Sequence, residues 1–154
     1  MSTDHSIRVL SVDDHPLLSE GIATIINSQP DMELVATAST GREGILKHRE
    51  IKPDITLMDL RLPDLSGIDV MFAIRSEFAD ARIILLTMFA GDVDIQRALQ
   101  GGAQGYLLKS MAPEQMVETI RQVYAGKKRV LPEIRPISPS ISATNRSRIV
   151  RSMF

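Results

Sequence analysis

Five short apolar runs, Arg8–Val12, Leu34–Ala38, Ile55–Met58, Ile83–Leu86 and Tyr106–Leu108, recur along the first 125 residues with segments of helical period between them. The stretches Val9–Leu10, Ile55–Met58 and Ile83–Leu86 are nearly continuous in apolar character, which suits strands buried on both faces of a parallel sheet. Between the runs, Leu18, Ile22, Ile25 and Ile26 share one helix face. So do Met71, Ile74 and Phe78, and later Met116, Ile120, Val123 and Tyr124. Pro16 can occupy a first helical turn, where its missing N–H costs nothing. Thr40 precedes Glu43 by three residues, a capping-box spacing. Pro113 and Glu114 can open a last helix that Gly126 is placed to end. Five strands alternating with five helices predict an α/β fold, a doubly wound five-stranded parallel sheet in the flavodoxin-like order 2-1-3-4-5.

In such sheets ligands bind beyond the carboxyl ends of the strands, near the point where the strand order reverses. Strand 1 ends in Asp13-Asp14, strand 3 in Asp59, strand 4 in Thr87 and strand 5 in Lys109, whereas strand 2 ends without a comparable group. Each has an ordinary structural reading when taken alone. The Asp pair can cap a helix, Asp59 can open the turn that follows it, Thr87 suits a strand, and a lone lysine is usually solvated. Together they would require four coincidences at one edge. Three neighbouring carboxylates repel one another unless a cation is present. An oxygen-only donor set with no cysteine in the chain favours a hard ion, Mg²⁺ before Zn²⁺. A carboxylate can also serve as a nucleophile toward phosphorus, and a hydroxyl with an ammonium can steady the phosphoryl oxygens.

These residues, with Leu62-Pro63-Asp64-Leu65-Ser66-Gly67 after Asp59, resemble the receiver domain of a two-component response regulator. The strings VDDHPLLSEGI, MDLRLPDLSGI, LLTMF and GGAQGYLLKSMAPEQ are similar to the NarL/LuxR-type regulators in particular, over about residues 7–132. The resemblance implies that Asp59 accepts a phosphoryl group from a sensor histidine kinase or from acetyl phosphate. It implies that Asp14 ligates Mg²⁺ directly, Asp13 partly through water, and Arg61 through its backbone carbonyl. Lys109 and Thr87 would engage the phosphoryl oxygens. Tyr106 matches a switch aromatic whose ring moves inward when Thr87 is drawn to the phosphate, although a tyrosine half-buried in an edge strand is its structural reading. The Arg61 side chain either tunes hydrolysis or is an exposed turn residue. His15 is read as a motif residue and not as a ligand, and His5 and His48 as solvated.

A dehalogenase-like phosphatase would want a second Asp two residues after the nucleophile, where this chain has Arg61. A flavodoxin-like cofactor binder would not place Asp13-Asp14 where a phosphate docks. The chain carries no GxGxxG, GxxxxGK[ST] or GxSxG string. Turnover of an external metabolite is therefore not expected, and the activity is phosphotransfer onto the protein itself followed by slow hydrolysis. The competing expectation is a receiver-like interaction module, or truncated regulator, that titrates partners without needing phosphorylation.

Charge divides the chain. Residues 1–125 hold 11 basic and 18 acidic side chains, a net of −7, while residues 126–154 hold 7 basic side chains and only Glu133, a net of +6. The organisation expected is a receiver over residues 1–126 and a basic tail or linker over 127–154 rich in Ser, Pro and Arg. The tail shows no helix-turn-helix pattern, so DNA is a partner only if such a domain is joined to this one. A second copy of the chain is a further expected partner, through helices 1 and 5 or through helix 4, strand 5 and helix 5. No apolar run reaches the ~18 residues of a membrane helix, and the opening MSTDHSIR lacks a signal peptide's apolar region. A cytoplasmic location without membrane partners follows as the expectation.

Overall fold

The computed structural model describes residues 6–88 and 95–130. In chain order the elements are β1 (Ile7–Val12), α1 (Pro16–Asn27), β2 (Met32–Ala38), α2 (Gly41–Ile51), β3 (Ile55–Asp59), α3 (Gly67–Glu77), β4 (Ile83–Thr87), α4 (Ile95–Gln100), β5 (Gly105–Leu108), α5 (Pro113–Tyr124) and β6 (Arg129–Val130). Among the described residues the strands of the sheet all pair in parallel, in the order β2-β1-β3-β4-β5-β6. The five-stranded order expected from sequence is present, with five helices. The two-residue β6 extends it, pairing Arg129 with Gly105 and Val130 with Tyr106. This addition lies past Gly126, where the apolar pattern stops, because a two-residue strand needs backbone partners and no hydrophobic run.

The central strands show why a continuous apolar run is required. Every residue of β3 and β4 is buried, since helices cover both faces. The edge strand β2 is buried only at Met32 and Ala38. Ile22 and Ile26 of α1, Met71 and Ile74 of α3, and Met116, Ile120 and Val123 of α5 insert into the same core. Leu18, Ile25, Phe78 and Tyr124 pack at its margin. At ~25 cal/mol per Å² of apolar surface, each fully buried Leu, Ile or Val contributes about 1.5–3 kcal/mol.

Helix ends follow the local chemistry. Pro16 and Pro113 stand in the first turns of α1 and α5. Thr40 Oγ1 accepts the Glu43 N–H at 3.0 Å while Glu43 Oε1 accepts the Ser39 N–H at 2.9 Å, a capping box displaced by one residue on its return bond. Gly126, at φ +96°, turns the chain out of α5 in a conformation that a Cβ disfavours. No helix among the described residues is long and apolar enough to cross a membrane.

Candidate functional site

Strand register delivers the site. Val12 is level with Met58, Asp59 with Leu86, and Thr87 with Leu108. The residues at or just past the strand ends, Asp13, Asp59, Thr87 and Lys109, therefore share one edge, and the strand order reverses between β1 and β3 at that edge. Asp13, Asp59 and Thr87 are all buried. The Lys109 side chain is only 8% exposed, so the solvated reading of that lysine does not hold. Its backbone N–H donates to Thr87 O at 2.8 Å, fixing β5's end against β4's.

The two buried carboxylates divide their labour by oxygen. Asp13 Oδ1 accepts the His15 backbone N–H at 2.7 Å, and Asp59 Oδ1 accepts the Arg61 backbone N–H at 3.1 Å. For Asp59 this is the turn-opening role of its structural reading. The other oxygens, Asp13 Oδ2 and Asp59 Oδ2, are buried and accept no hydrogen bond. Lys109 Nζ stands 2.9 Å from Asp59 Oδ2 and 3.6 Å from Asp13 Oδ2, as ion pairs without the alignment of a hydrogen bond. Burial pushes the Asp59 carboxyl above the usual carboxylate range. Lys109 and the Arg61 N–H pull it back, and the charge of Asp13 adds to the rise.

The loop after Asp59 leaves little slack. A Cβ on Gly67 would lie 2.2 Å from the Asp59 carbonyl oxygen, so only glycine allows this approach. Gly67 N–H donates to Leu60 O at 2.8 Å, and Arg61 bridges to Ser66. Arg61 is exposed at the rim.

One candidate ligand atom from each of Asp13, Asp14, His15 and Asp59 lies within 4.8 Å of the others. Two buried oxygens without hydrogen bonds, in a mainly carboxylate set, fit a hard divalent cation. His15, read from the sequence as a motif residue and not as a ligand, stands in the middle of this group. Its Nδ1 is 3.1 Å from Asp13 Oδ1, 3.2 Å from Asp14 Oδ1, 3.6 Å from Asp59 Oδ2 and 3.5 Å from Lys109 Nζ. It is also the N-cap of α1, with no side-chain cap bond, so the Asp pair does not itself cap that helix. Adjacency to Asp13-Asp14 on a turn was the available signal.

Tyr106 is fully buried in β5. The half-buried edge position does not describe it, because β6 pairs alongside and β5 is not an edge strand. His48 is buried, contrary to the solvated expectation, and packs its ring 5.1 Å from that of Phe78. The basic residues Arg135, Arg146, Arg148 and Arg151, and His5, lie outside the described residues.

Residues 9–121 match the family model of the response regulator receiver domain. The chain is 33% identical over 129 residues to the response regulator protein VraR of Staphylococcus epidermidis, covering 84% of this chain and 62% of that protein. It is 31% identical over 153 residues to the nitrate/nitrite response regulator protein NarL of Escherichia coli, covering 99% of this chain and 71% of that one. Among solved structures, a LuxR-family two-component response regulator from Aurantimonas superposes with a TM-score of 0.80 at 34% identity, covering 94% of this chain and 97% of the other. The signal receiver domain of the putative regulator NarL from Mycobacterium tuberculosis gives 0.76 at 29% identity, covering 80% and 99%. The chain thus spans less than two thirds of the length of VraR.

Proposed function

The chain belongs to the response regulator receiver family, and from that premise we propose that Asp59 is its phosphoryl acceptor, in a receiver occupying residues 1–126. The observation that carries this is the split of the Asp59 carboxylate. Oδ1 is engaged with its own turn, while Oδ2 is buried, without a hydrogen bond, and faces Lys109 and Asp13.

Asp59 attacks the phosphorus of a phosphorylated sensor histidine kinase or of acetyl phosphate. The donor's P–N or P–O bond breaks, its electron pair leaves with the donor, and an aspartyl phosphate remains. The Lys109 ammonium and the Thr87 hydroxyl hold the phosphoryl oxygens, which carry the charge that develops in the transfer. Asp13, Asp14, Asp59 and the Arg61 carbonyl would hold Mg²⁺. When bound, that ion offsets the carboxylate repulsion and draws charge from the phosphoryl oxygens. Attack of water on the same phosphorus later releases inorganic phosphate and restores the carboxylate, so the protein is no enzyme toward an external metabolite.

Phosphorylation then biases a two-state equilibrium that involves Thr87, Tyr106 and the face of α4, β5 and α5. That face, or α1 with α5, would meet a partner or a second copy, and a transcriptional output would act through a DNA-binding domain joined to this one. Residues 127–154 would be a basic tail or linker beyond the receiver. The location proposed is the cytoplasm, where the kinase's phosphoryl-donating domain is met.

The test is incubation with acetyl phosphate and Mg²⁺, read by intact mass. Wild type gains one phosphoryl group, which hydroxylamine removes, and Asp59→Asn gains none. Equal labelling of Asp59→Asn rules out this acceptor, and no labelling of wild type leaves a module that works by partner binding alone.

A further inference from the structure

Helix α2 and the β3–α3 loop are joined by a carboxylate that has no part in the chemistry above. Asp64 Oδ1 accepts the Gly41 N–H at 2.7 Å, and Asp64 Oδ2 accepts the Arg42 N–H at 3.0 Å. These are the first two donors of α2, which have no partner within the helix. The next two are met locally, Glu43 N–H by Thr40 Oγ1 at 3.0 Å and Gly44 N–H by Thr40 O at 3.0 Å. One end of α2 is thus completed from two sources, its own N-cap and a residue 22 to 23 positions away. The hydrogen bonds, that from Gly41 foremost, hold the Asp64 carboxyl below its ordinary range. A Cβ on Gly41 would come within 2.7 Å of Val70 and 3.2 Å of Asp64 Oδ1, so backbone and loop are in close contact there.

The loop is therefore pinned twice. Its base is closed by the Gly67–Leu60 hydrogen bond and the contact of Gly67 with the Asp59 carbonyl, and its tip is tied to α2 by Asp64. Arg61 lies between the two pins, and its N–H holds Asp59 Oδ1 at 3.1 Å. A short segment fixed at both ends has few backbone conformations left to it, and groups behind a metal ligand commonly set that ligand's geometry.

We infer that Asp64 is a positioning residue, which holds the Arg61 backbone, N–H toward Asp59 and carbonyl toward the cation, by docking the loop on the α2 N-terminus. This inference rests on the cation-assisted phosphoryl reading given above.

Its test is a calorimetric Mg²⁺ titration of the full chain in four forms: wild type, Asp64→Ala, Asp64→Asn and Thr40→Ala. Thr40→Ala removes a cap from the same helix end without touching the loop, so it reports what loss of helix stability alone does. The Mg²⁺ dissociation constant rises about tenfold in Asp64→Ala and by less in Asp64→Asn, which keeps one acceptor oxygen, and it stays at the wild-type value in Thr40→Ala. With acetyl phosphate, raising Mg²⁺ in proportion returns Asp64→Ala to the wild-type labelling rate, which a general loss of folded protein would not do. Wild-type affinity in both Asp64 variants, or equal weakening in Thr40→Ala, overturns the inference and leaves the phosphoryl reading standing. A wild type that binds no Mg²⁺ removes both. Should Asp64→Ala fail to fold, Asp64→Asn against Thr40→Ala decides alone.

Discussion

The two ends of the sheet treat charge in opposite ways. At the amino end Arg121 grips Asp31 with two bonds of 2.9 Å and also donates to Gln29 at 3.1 Å. Arg8 donates its guanidinium to the Ile51 and Lys52 carbonyls at 2.9 Å each, and its backbone N–H to Asp54 at 2.9 Å. Each of these groups is matched: Arg121 holds the Asp31 carboxyl below its ordinary range, and Asp31 in turn raises Arg121. At the carboxyl end two buried carboxylates, Asp13 and Asp59, share one buried ammonium, with the exposed Asp14 beside them, and one oxygen of each buried carboxylate has no hydrogen bond. Matched charges secure an architecture. A surplus of buried like charge works against folding and marks the end where a ligand is expected to supply what the protein lacks.

The largest effect should come from closing the space that the carboxyl end requires. Gly67→Ala places a Cβ against the Asp59 carbonyl, costs about 3 kcal/mol in denaturant unfolding, and abolishes labelling by acetyl phosphate because the loop must shift. Next in size is removal of the surplus charge. The folded-state pKa of Asp59 is raised, so its contribution to stability is present below the usual carboxyl range and lost as pH rises through the folded value. At neutral pH and without divalent cation the ionised group therefore opposes folding. Asp59→Asn should stabilise the cation-free protein, because burial raises the Asp59 carboxyl more than Lys109 lowers it, whereas the corresponding change at the amino end, Asp31→Asn, should destabilise it. If both variants moved in the same direction, the contrast between the two ends would be gone.

A smaller effect concerns His48, in the last turn of α2 near the amino end. Burial pushes its imidazole below the ordinary 6.5, against a weaker upward pull from Glu77, and its buried Nδ1 has no hydrogen bond. The unfolded chain therefore binds the proton more readily. This stability is complete above the ordinary value and falls as pH drops through it. Thermal melts from pH 7.5 to 5.5 should show a decline that His48→Leu flattens. The smallest change expected is Arg121→Ala. Its pair with Asp31 is more than a third exposed, so its loss costs about 1 kcal/mol or less and shrinks further in high salt.

The parts of this molecule that sequence made legible are those whose cause is local. The apolar runs of β1, β3 and β4 are nearly continuous because both faces are covered, and the strand-end carboxylates stand out because they interrupt such runs. Thr40 with Glu43 announces the start of α2 within four residues. What escaped has its cause elsewhere. β6 exists through backbone pairing with β5, and Asp64 completes a helix more than twenty residues before it. His15 gains its meaning only when β3 and β5 bring Asp59 and Lys109 beside it. His48 was read as solvated because a histidine in a polar stretch gives no sign of the Phe78 ring that covers it.

Chemical trapping decides whether the buried carboxylate of Asp59 is the phosphoryl acceptor. Protein treated with acetyl phosphate is reduced with borohydride, which converts an aspartyl phosphate to homoserine, and is then mapped by peptide mass spectrometry. Homoserine is expected at position 59 alone, and only when Mg²⁺ was present. Homoserine at position 13 or 14, at position 59 regardless of Mg²⁺, or nowhere in the chain would contradict this expectation.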